Sequence, residues 1–488
     1  MVRMLTYARA ARAWLAAAAA LTAAVAGAVP ALANVPLTRI SSDPFDNATS
    51  QHATEVEPDS FSFGSTIVSA FQQGRFTDGG STDIGFSTST DGGATWHAGS
   101  LPGITTFVGG RFSRVSDPAV AFDARHGVWL IASLPLLGTS GAGAIVSRST
   151  NGGLAWGSPV VVSAASGTDK TWIACDNTST SPFFGHCYVE FDNNAQGNLI
   201  QMSTSADGGA TWGPSLPTAN REAGIGGQPV VQPSGTVVVP IDNANETAVG
   251  AFRSTDGGAS WTGVTTIALI HAHTEAGNLR SGPLPSAELD GAGRVYVAWG
   301  DCRFRRGCRA NDIVLSSSAN GTTWTAVSRV PIDGTRSGVD HFLPGLAVDR
   351  STSGGTAHLG LSYYFYPVSR CTQATCSLDA GFISSTNGGA TWGSATQLAG
   401  PMKVTSLAST TQGFMVGDYF STSFANGTAH PVLAVARPPV GSRFDEAMHT
   451  PATGLRAPLA GTAGEVAAAE PVPAGINAVN HGDARTAH

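Results

Sequence analysis

The stretch Ser87–Trp96 reads STSTDGGATW, and copies of its second part recur at Ser149–Trp156 (STNGGLAW), Ser205–Trp212 (SADGGATW), Ser254–Trp261 (STDGGASW) and Ser385–Trp392 (STNGGATW), with a shorter version at Ser318–Trp324 (SANGTTW). Successive tryptophans lie 49 to 68 residues apart. One supersecondary unit repeated at that period signals a repeat architecture. Asp or Asn accepts hydrogen bonds from its own downstream backbone N–H groups, and the glycines take positive φ without steric cost. Alternating apolar runs precede most copies (DIGFSTS, GAIVSRS, DIVLSSS, DAGFISS). Each turn therefore closes a β-hairpin, and the tryptophan offers a large face for burial.

The fifth unit shows its strands most clearly, as PSAELD, RVYVAWGD, DIVLSSS and TTWTAVSRV. Four antiparallel strands make one propeller blade. With six such turns, the chain resembles the Asp-box (BNR) repeats of the sialidase superfamily of β-propellers. The resemblance covers most of residues 34–450 and implies an all-β propeller of four-stranded antiparallel blades. It also implies that the boxes lie away from the active site and are structural, since fold alone does not give function. Innermost strands are expected to begin near Glu57, Asp117, Lys170, Gln228, Ser286, Leu343 and Asp418. That makes seven blades, or six if two of these starts share a blade. The last unit (MVGDYFSTSF, HPVLAVA, FDEAMHT) has no turn of this type and no outer strand of its own. The N-terminal VPLTRISS is expected to supply that strand and close the ring, which removes open edges.

Residues 1–33 carry Arg3, Arg9 and Arg12 ahead of an Ala-rich apolar run ending Ala31-Leu32-Ala33, the pattern of a signal peptide cleaved before Asn34. The rival reading, a membrane anchor, lacks a stop-transfer pattern, and no later run is long enough to span a bilayer. A secreted, monomeric protein is expected. Residues 451–488 are Ala/Pro/Gly-rich without periodicity and are expected to be a disordered tail. A net charge of −7 gives no basic footprint for nucleic acid. The cysteines fall into three close pairs, Cys175/Cys187, Cys302/Cys308 and Cys371/Cys376. In an oxidising compartment these read as local disulfides rather than metal ligands, and no metal or cofactor is expected.

In a blade the chain runs down, up, down, up, so the repeated turns share one face. The loops entering each first strand share the other face with those joining second to third strands, and ligands are expected there. Several carboxylates land on it, among them Glu57, Asp117 and Asp169, the candidates for acid–base catalysis. His341, Asp418 and Tyr419 also open first strands and are candidate substrate contacts. Phe71-Gln72-Gln73-Gly74-Arg75-Phe76 matches Trp299-Gly300-Asp301-Cys302-Arg303-Phe304, so Arg75 and Arg303 are candidates to orient an acidic sugar. Arg305, Arg306 and Arg309 lie inside or beside the Cys302–Cys308 ring, and a pinned arginine cluster at the channel mouth suits a carboxylate or sulfate. For each residue the alternative is a polar group that caps a strand end or bonds a neighbouring loop.

The resemblance to sialidases implies three arginines on the substrate carboxylate, a Tyr–Glu nucleophile and an Asp acid/base. The first of those arginines comes in an Arg-Ile-Pro motif. The matching stretch here is Glu57-Pro58-Asp59, and the chain's Arg39-Ile40 is followed by Ser41. That departure counts against sialic acid hydrolysis by the usual route. Two readings stand: a sialidase-like glycoside hydrolase, or a uronic-acid lyase, acting on an acidic oligosaccharide; and a non-catalytic glycan-binding or scaffolding propeller at the cell surface.

Overall fold

The computed structural model describes residues 35–457, so the expected signal peptide and residues 458–488 of the expected tail lie outside the described residues. The described chain is all-β and its sheets are antiparallel. The first sheet runs Glu55–Phe63, Thr66–Arg75, Ser81–Ser89, His97–Ser100. The second runs Arg114–Asp123, Val128–Leu137, Ala144–Ser149, Val160–Ser163. One pairing, Ser81 with Val115, joins the two. The third runs Thr168–Cys175, Cys187–Asn193, Leu199–Ser205, Leu216–Pro217. In the fourth, Gly224–Ile225 and Val230–Val231 both pair with Val237–Asn243, followed by Ala248–Ser254 and Thr265–Leu269.

The fifth sheet is Ser286–Leu289, Val295–Asp301, Asp312–Ser318, Ser328–Arg329. The sixth is Asp340–Val348, Leu359–Tyr366, Ser377–Ser385, Thr396–Lys403. A last sheet is Ser421–Ala425, Thr428–Val440, Arg443–Pro451, and its fourth strand is the N-terminal Leu37–Arg39. VPLTRISS thus supplies the strand expected of it. The first strands of successive sheets pack against one another, and the strand Ser421–Ala425 packs against Glu55–Phe63. Beyond Thr450 the chain is still ordered, because Leu455–Arg456 pairs with Thr428–Ala429.

The core fills the spaces between neighbouring sheets. Ala121, Leu130, Val146, Val189 and Phe191 pack between the second and third, and Leu315, Leu346, Leu361 and Trp392 between the fifth and sixth. The repeated turn is built by two side chains. Asp91 Oδ1 accepts from the Thr95 N–H at 2.9 Å, while Ser89 Oγ accepts from the Gly93 N–H at 2.8 Å. The same pair of bonds recurs at Asp207/Ser205, Asp256/Ser254 and Asn387/Ser385.

The three expected disulfides form, Cys175–Cys187, Cys302–Cys308 and Cys371–Cys376. The first links the facing ends of two paired strands. The other two pin the loops between second and third strands of the fifth and sixth sheets. Cys308 closes its ring from a left-handed backbone position, with φ of 49°. Among the described residues no helix is long and apolar enough to cross a membrane.

Candidate functional site

Four first strands share a local defect at the end where they begin. Pairing slips between Val56 and Asp59, Ser116 and Ala119, Asp169 and Trp172, and Phe342 and Pro344. At the slips, Glu57, Asp117, Lys170 and Leu343 hold φ of 54°, 45°, 42° and 49°. Pro58, Pro118 and Pro344 follow three of them, as suits a bulge, where no ladder N–H is required. A non-glycine residue held at positive φ costs roughly 1–3 kcal/mol, and such strain clusters at functional sites.

The bulges of the first three sheets turn their side chains onto one point. Lys170 Nζ lies 3.4 Å from Glu57 Oε1, 3.2 Å from Asp117 Oδ1 and 2.7 Å from Asp418 Oδ2. Arg280, on the connection 270–285, grips Asp418 with both Nε (2.8 Å) and Nη2. Gln72 Nε2 donates to the second oxygen of Glu57, and Arg75 Nη1 donates to Gln72 Oε1 at 3.1 Å and to the Gly80 carbonyl at 2.9 Å. Tyr419 lies under the Lys170 ammonium, 5.6 Å from nitrogen to ring centre, with its hydroxyl donated to the Pro118 carbonyl. Trp172 meets Tyr419 edge-on at 4.9 Å. Glu57, Asp117, Lys170, Arg280 and Asp418 are all 5% exposed or less.

Burial sets the protonation here. It pushes the Glu57 carboxyl up to about 7 against the pull of Lys170, with Asp117 and Asp418 adding to the rise. Asp117 also rises by burial against Lys170, and Asp169 reaches about 6 by the same balance. For Lys170, burial alone would lower the ammonium, but Asp117, Asp418 and Glu57 outweigh it and hold it well above its ordinary value. Asp169 stands directly across from Asp192 in the ladder, with Glu190 two residues away, and burial drives both of the latter far upward. Five carboxyls, with Glu190 beside Asp192 as a sixth, thus gather around three cations, Lys170, Arg280 and Arg75, so protons must make up part of the balance.

The expected site residues separate into those the fold gathers and those it does not. Glu57, Asp117, Asp418 and Tyr419 meet at Lys170, and Asp169 adjoins them. Arg75 is 1% exposed and acts from behind, through Gln72; burial and then the nearby Arg280 lower it to about 10. Arg303 is not in this group. Its guanidinium bonds Asp301 and the Leu269 carbonyl, so the match between its loop and that of Arg75 does not extend to position.

The Cys302–Cys308 ring likewise does not present a cluster of arginines to the centre. Arg305 is buried and spent on Asp312 and Asp333, while Arg306 and Arg309 are exposed. Cys308 is half-buried, with Sγ 3.7 Å from the Ala272 carbonyl oxygen. A disulfide sulfur has no hydrogen to donate, so that approach is packing, and the role of Cys308 is to hold the loop against the connection 270–285. His341 is 1% exposed and packed against Tyr363 and Phe365, and it is not among the side chains bonded around Lys170. Asp312, Asp333 and His341 together have spacing that could hold a metal, but Arg305 and Arg329 already bridge both carboxylates.

Lys170, Arg280, Gln72, Glu190 and Asp192 were not singled out from the sequence. Lys170 was expected only as the start of a first strand, and it takes the bulge position held by Glu57 and Asp117 in the first two sheets. Glu190 and Asp192 show as acids at alternate positions of an otherwise buried strand, a period-2 signal. Arg280 lies in no repeat and carried no signal.

No family model matches the chain, and no curated protein matches it. Solved structures do resemble it. A protein of unknown function from Dyadobacter fermentans is 18% identical over 74% of this chain and 100% of that one, with a TM-score of 0.46. The NanB sialidase of Streptococcus pneumoniae is 12% identical over 85% and 70%, TM-score 0.41. A polysaccharide lyase, an ulvan lyase, is 10% identical over 86% and 96%, TM-score 0.49. Likeness at this level carries no argument about chemistry, which rests on the charges gathered around Lys170.

Proposed function

We propose that this chain is an exported, seven-bladed, glycan-acting β-propeller whose chemistry is glycoside hydrolysis at the Lys170 centre, on an acidic oligosaccharide. One observation carries the reading. Side chains from three separate sheets, from the approach to a fourth and from one long connection converge on a single point, three of them from backbone bulges that the sheets do not need in order to pair. The closed succession of first-strand contacts supports the seven-blade count.

In this reading Glu57, with its carboxyl near 7, is the general acid, and Asp117, paired with Lys170, is the base or nucleophile. Both have an oxygen within 3.4 Å of one nitrogen, so those oxygens are under about 7 Å apart, which spans the spacing of catalytic carboxyl pairs in retaining enzymes. The protonated acid hands its proton to the leaving oxygen while the second carboxylate meets the anomeric carbon or its water. Lys170 and Arg280 are the cations placed to favour an acidic sugar. The burial of every group at the centre favours a second reading, in which the network only ties the sheets together and the propeller binds or scaffolds.

The test is product release, read by mass spectrometry, from sialylated, uronic-acid and neutral oligosaccharides. Release by the wild-type protein and by Arg303→Ala, lost in Glu57→Gln and Asp117→Asn, is the expected outcome. No product from any glycan with folded protein transfers the assignment to the binding reading.

A further inference from the structure

Arg280 belongs to no strand. It stands on the connection 270–285, a stretch long enough to be uncommon without a functional role. Near its start, the Cys302 N–H donates to the His271 carbonyl at 2.6 Å, and Cys308 Sγ packs on the carbonyl of Ala272. Further on, Gly277 lies so close to the Cys371–Cys376 disulfide that a Cβ there would come within 2.5 Å of Cys376 Sγ. At the inner end, the Arg280 N–H donates to the Phe414 carbonyl (2.7 Å), and the Phe414 N–H donates to that of Asn278 (2.8 Å). The connection is thus slung between both disulfide-pinned loops and the hairpin Ala408–Met415.

Its middle is polar. His273 Nδ1 lies 3.1 Å from Asp340, while Glu275 accepts from Asn311 Nδ2 at 2.8 Å and from Ser281 Oγ at 2.7 Å. Thr274 and Asn278 are exposed, and His271, His273 and Gly282 are half-buried. Its apolar anchors are Ile270, Ala276, Leu279 and Leu284; the polar, partly exposed stretch between Ile270 and Ala276 is the part of lower local stability.

We propose that the connection 270–285 is a proton-controlled strap over the Lys170 centre: docked, it seals the centre through the grip of Arg280 on Asp418, and released, it opens the centre to a ligand. The consequence for ligands rests on the proposed function; the opening itself does not.

The geometry sets the direction of control. Glu275 is half-buried, with Asp340, His273 and Tyr366 around it, and Arg370 faces His273 from the next loop. Burial, then Asp340, lift the Glu275 carboxyl to about 7. The bond to Asp340 is the main force raising His273. Both groups bind protons more tightly when the strap is docked, so docking is strongest at mildly acid pH and weakens as pH rises through about 7. At the other end, Asp418, Glu57 and Asp117 attract Arg280, which stays charged throughout, while Arg75 and Lys170 oppose it. Ionisation of Glu57 would tighten the grip as pH rises, but Arg280 is the weakest of the named influences on Glu57.

Hydrogen exchange by mass spectrometry tests this without any substrate, comparing about pH 6 with about pH 8.5 after correction for intrinsic rates. The expected result is that protection of residues 278–281 and 414 falls roughly tenfold or more relative to the strand Asp340–Val348, one pKa unit being a factor of ten. Glu275→Gln, which keeps the bonds to Asn311 and Ser281, removes most of that fall. Strap amides as protected as the strand at both pH values, or an undiminished pH effect in Glu275→Gln, overturn the proposal. Either result is independent of whether any glycan is cleaved.

Discussion

Replacing Glu57 by Gln tests the electrostatic account of the centre at its most sensitive point. The folded protein holds this carboxyl at about 7 against an ordinary 4.5, and a group whose acidity is weakened by folding binds its proton more tightly in the folded state. Below 4.5 both states are protonated and nothing is lost. As pH rises from there to about 7, the unfolded chain ionises while the folded one does not, and stability drains away. The shift corresponds to about 3 kcal/mol, fully lost above pH 7. Gln is nearly isosteric, its oxygen can still accept from Gln72, and Lys170 keeps Asp117 and Asp418 as partners, so the variant is expected to fold.

Glu55 and Asp59 are also lifted to about 7 by burial, so the wild-type curve alone cannot isolate Glu57. The difference between the two proteins can. Urea midpoints followed by tryptophan fluorescence at about pH 5 and about pH 8 should show the variant gaining about 3 kcal/mol on the wild type over that interval. Asp117 acts in the same direction, because losing a like charge lowers its own carboxyl. Parallel curves would mean that Glu57 is ionised at ordinary pH, and the assignment of the general acid would fall with them.

His430 titrates with the opposite sign. Burial holds it down at about 4, so wild-type stability is lost as pH falls from 6.5 toward 4, and His430→Gln should flatten that acid limb by about 3 kcal/mol in the same urea assay. Ser254→Ala removes the acceptor of the Gly258 N–H and a donor to Asp256; a loss of about 1–2 kcal/mol is expected in thermal or urea unfolding, with strap exchange at 278–281 unchanged. Deleting residues 35–41 uncovers the edge of Arg443–Pro451 and removes the Ser41 bond to Glu55. Size-exclusion chromatography should then show self-association through the bared strand, and a monomer of unchanged melting temperature would contradict the closure argument.

The sheets were legible because their signal is local and repeated. Hairpin turns, two-residue alternation and the tryptophan each state the same unit six times, and even the donation of VPLTRISS followed from one unit being a strand short. The cysteine pairs were legible for the same reason, since Cys302 and Cys308 lie within one loop and need no distant partner. The centre was legible only in part, and the reason is geometric. A bulge residue such as Glu57 or Asp117 announces itself by the proline that follows, so its place at a strand start could be read. What it meets there depends on which sheets lie side by side and on side chains hundreds of positions away. Lys170 and Asp418 are 248 residues apart yet in contact. The loop of Arg303 resembles that of Arg75, but Asp301 sits two residues before Arg303 and captures it, whereas Arg75 has Gln73 at the same spacing and turns inward. Two residues decide between a surface ion pair and a place behind the centre. Arg280 was beyond reach altogether, since nothing local marks a residue that a long connection delivers to the middle of the fold. Sequence repetition therefore reports what the sheets do alike, while the chemistry resides in the residues at which they differ.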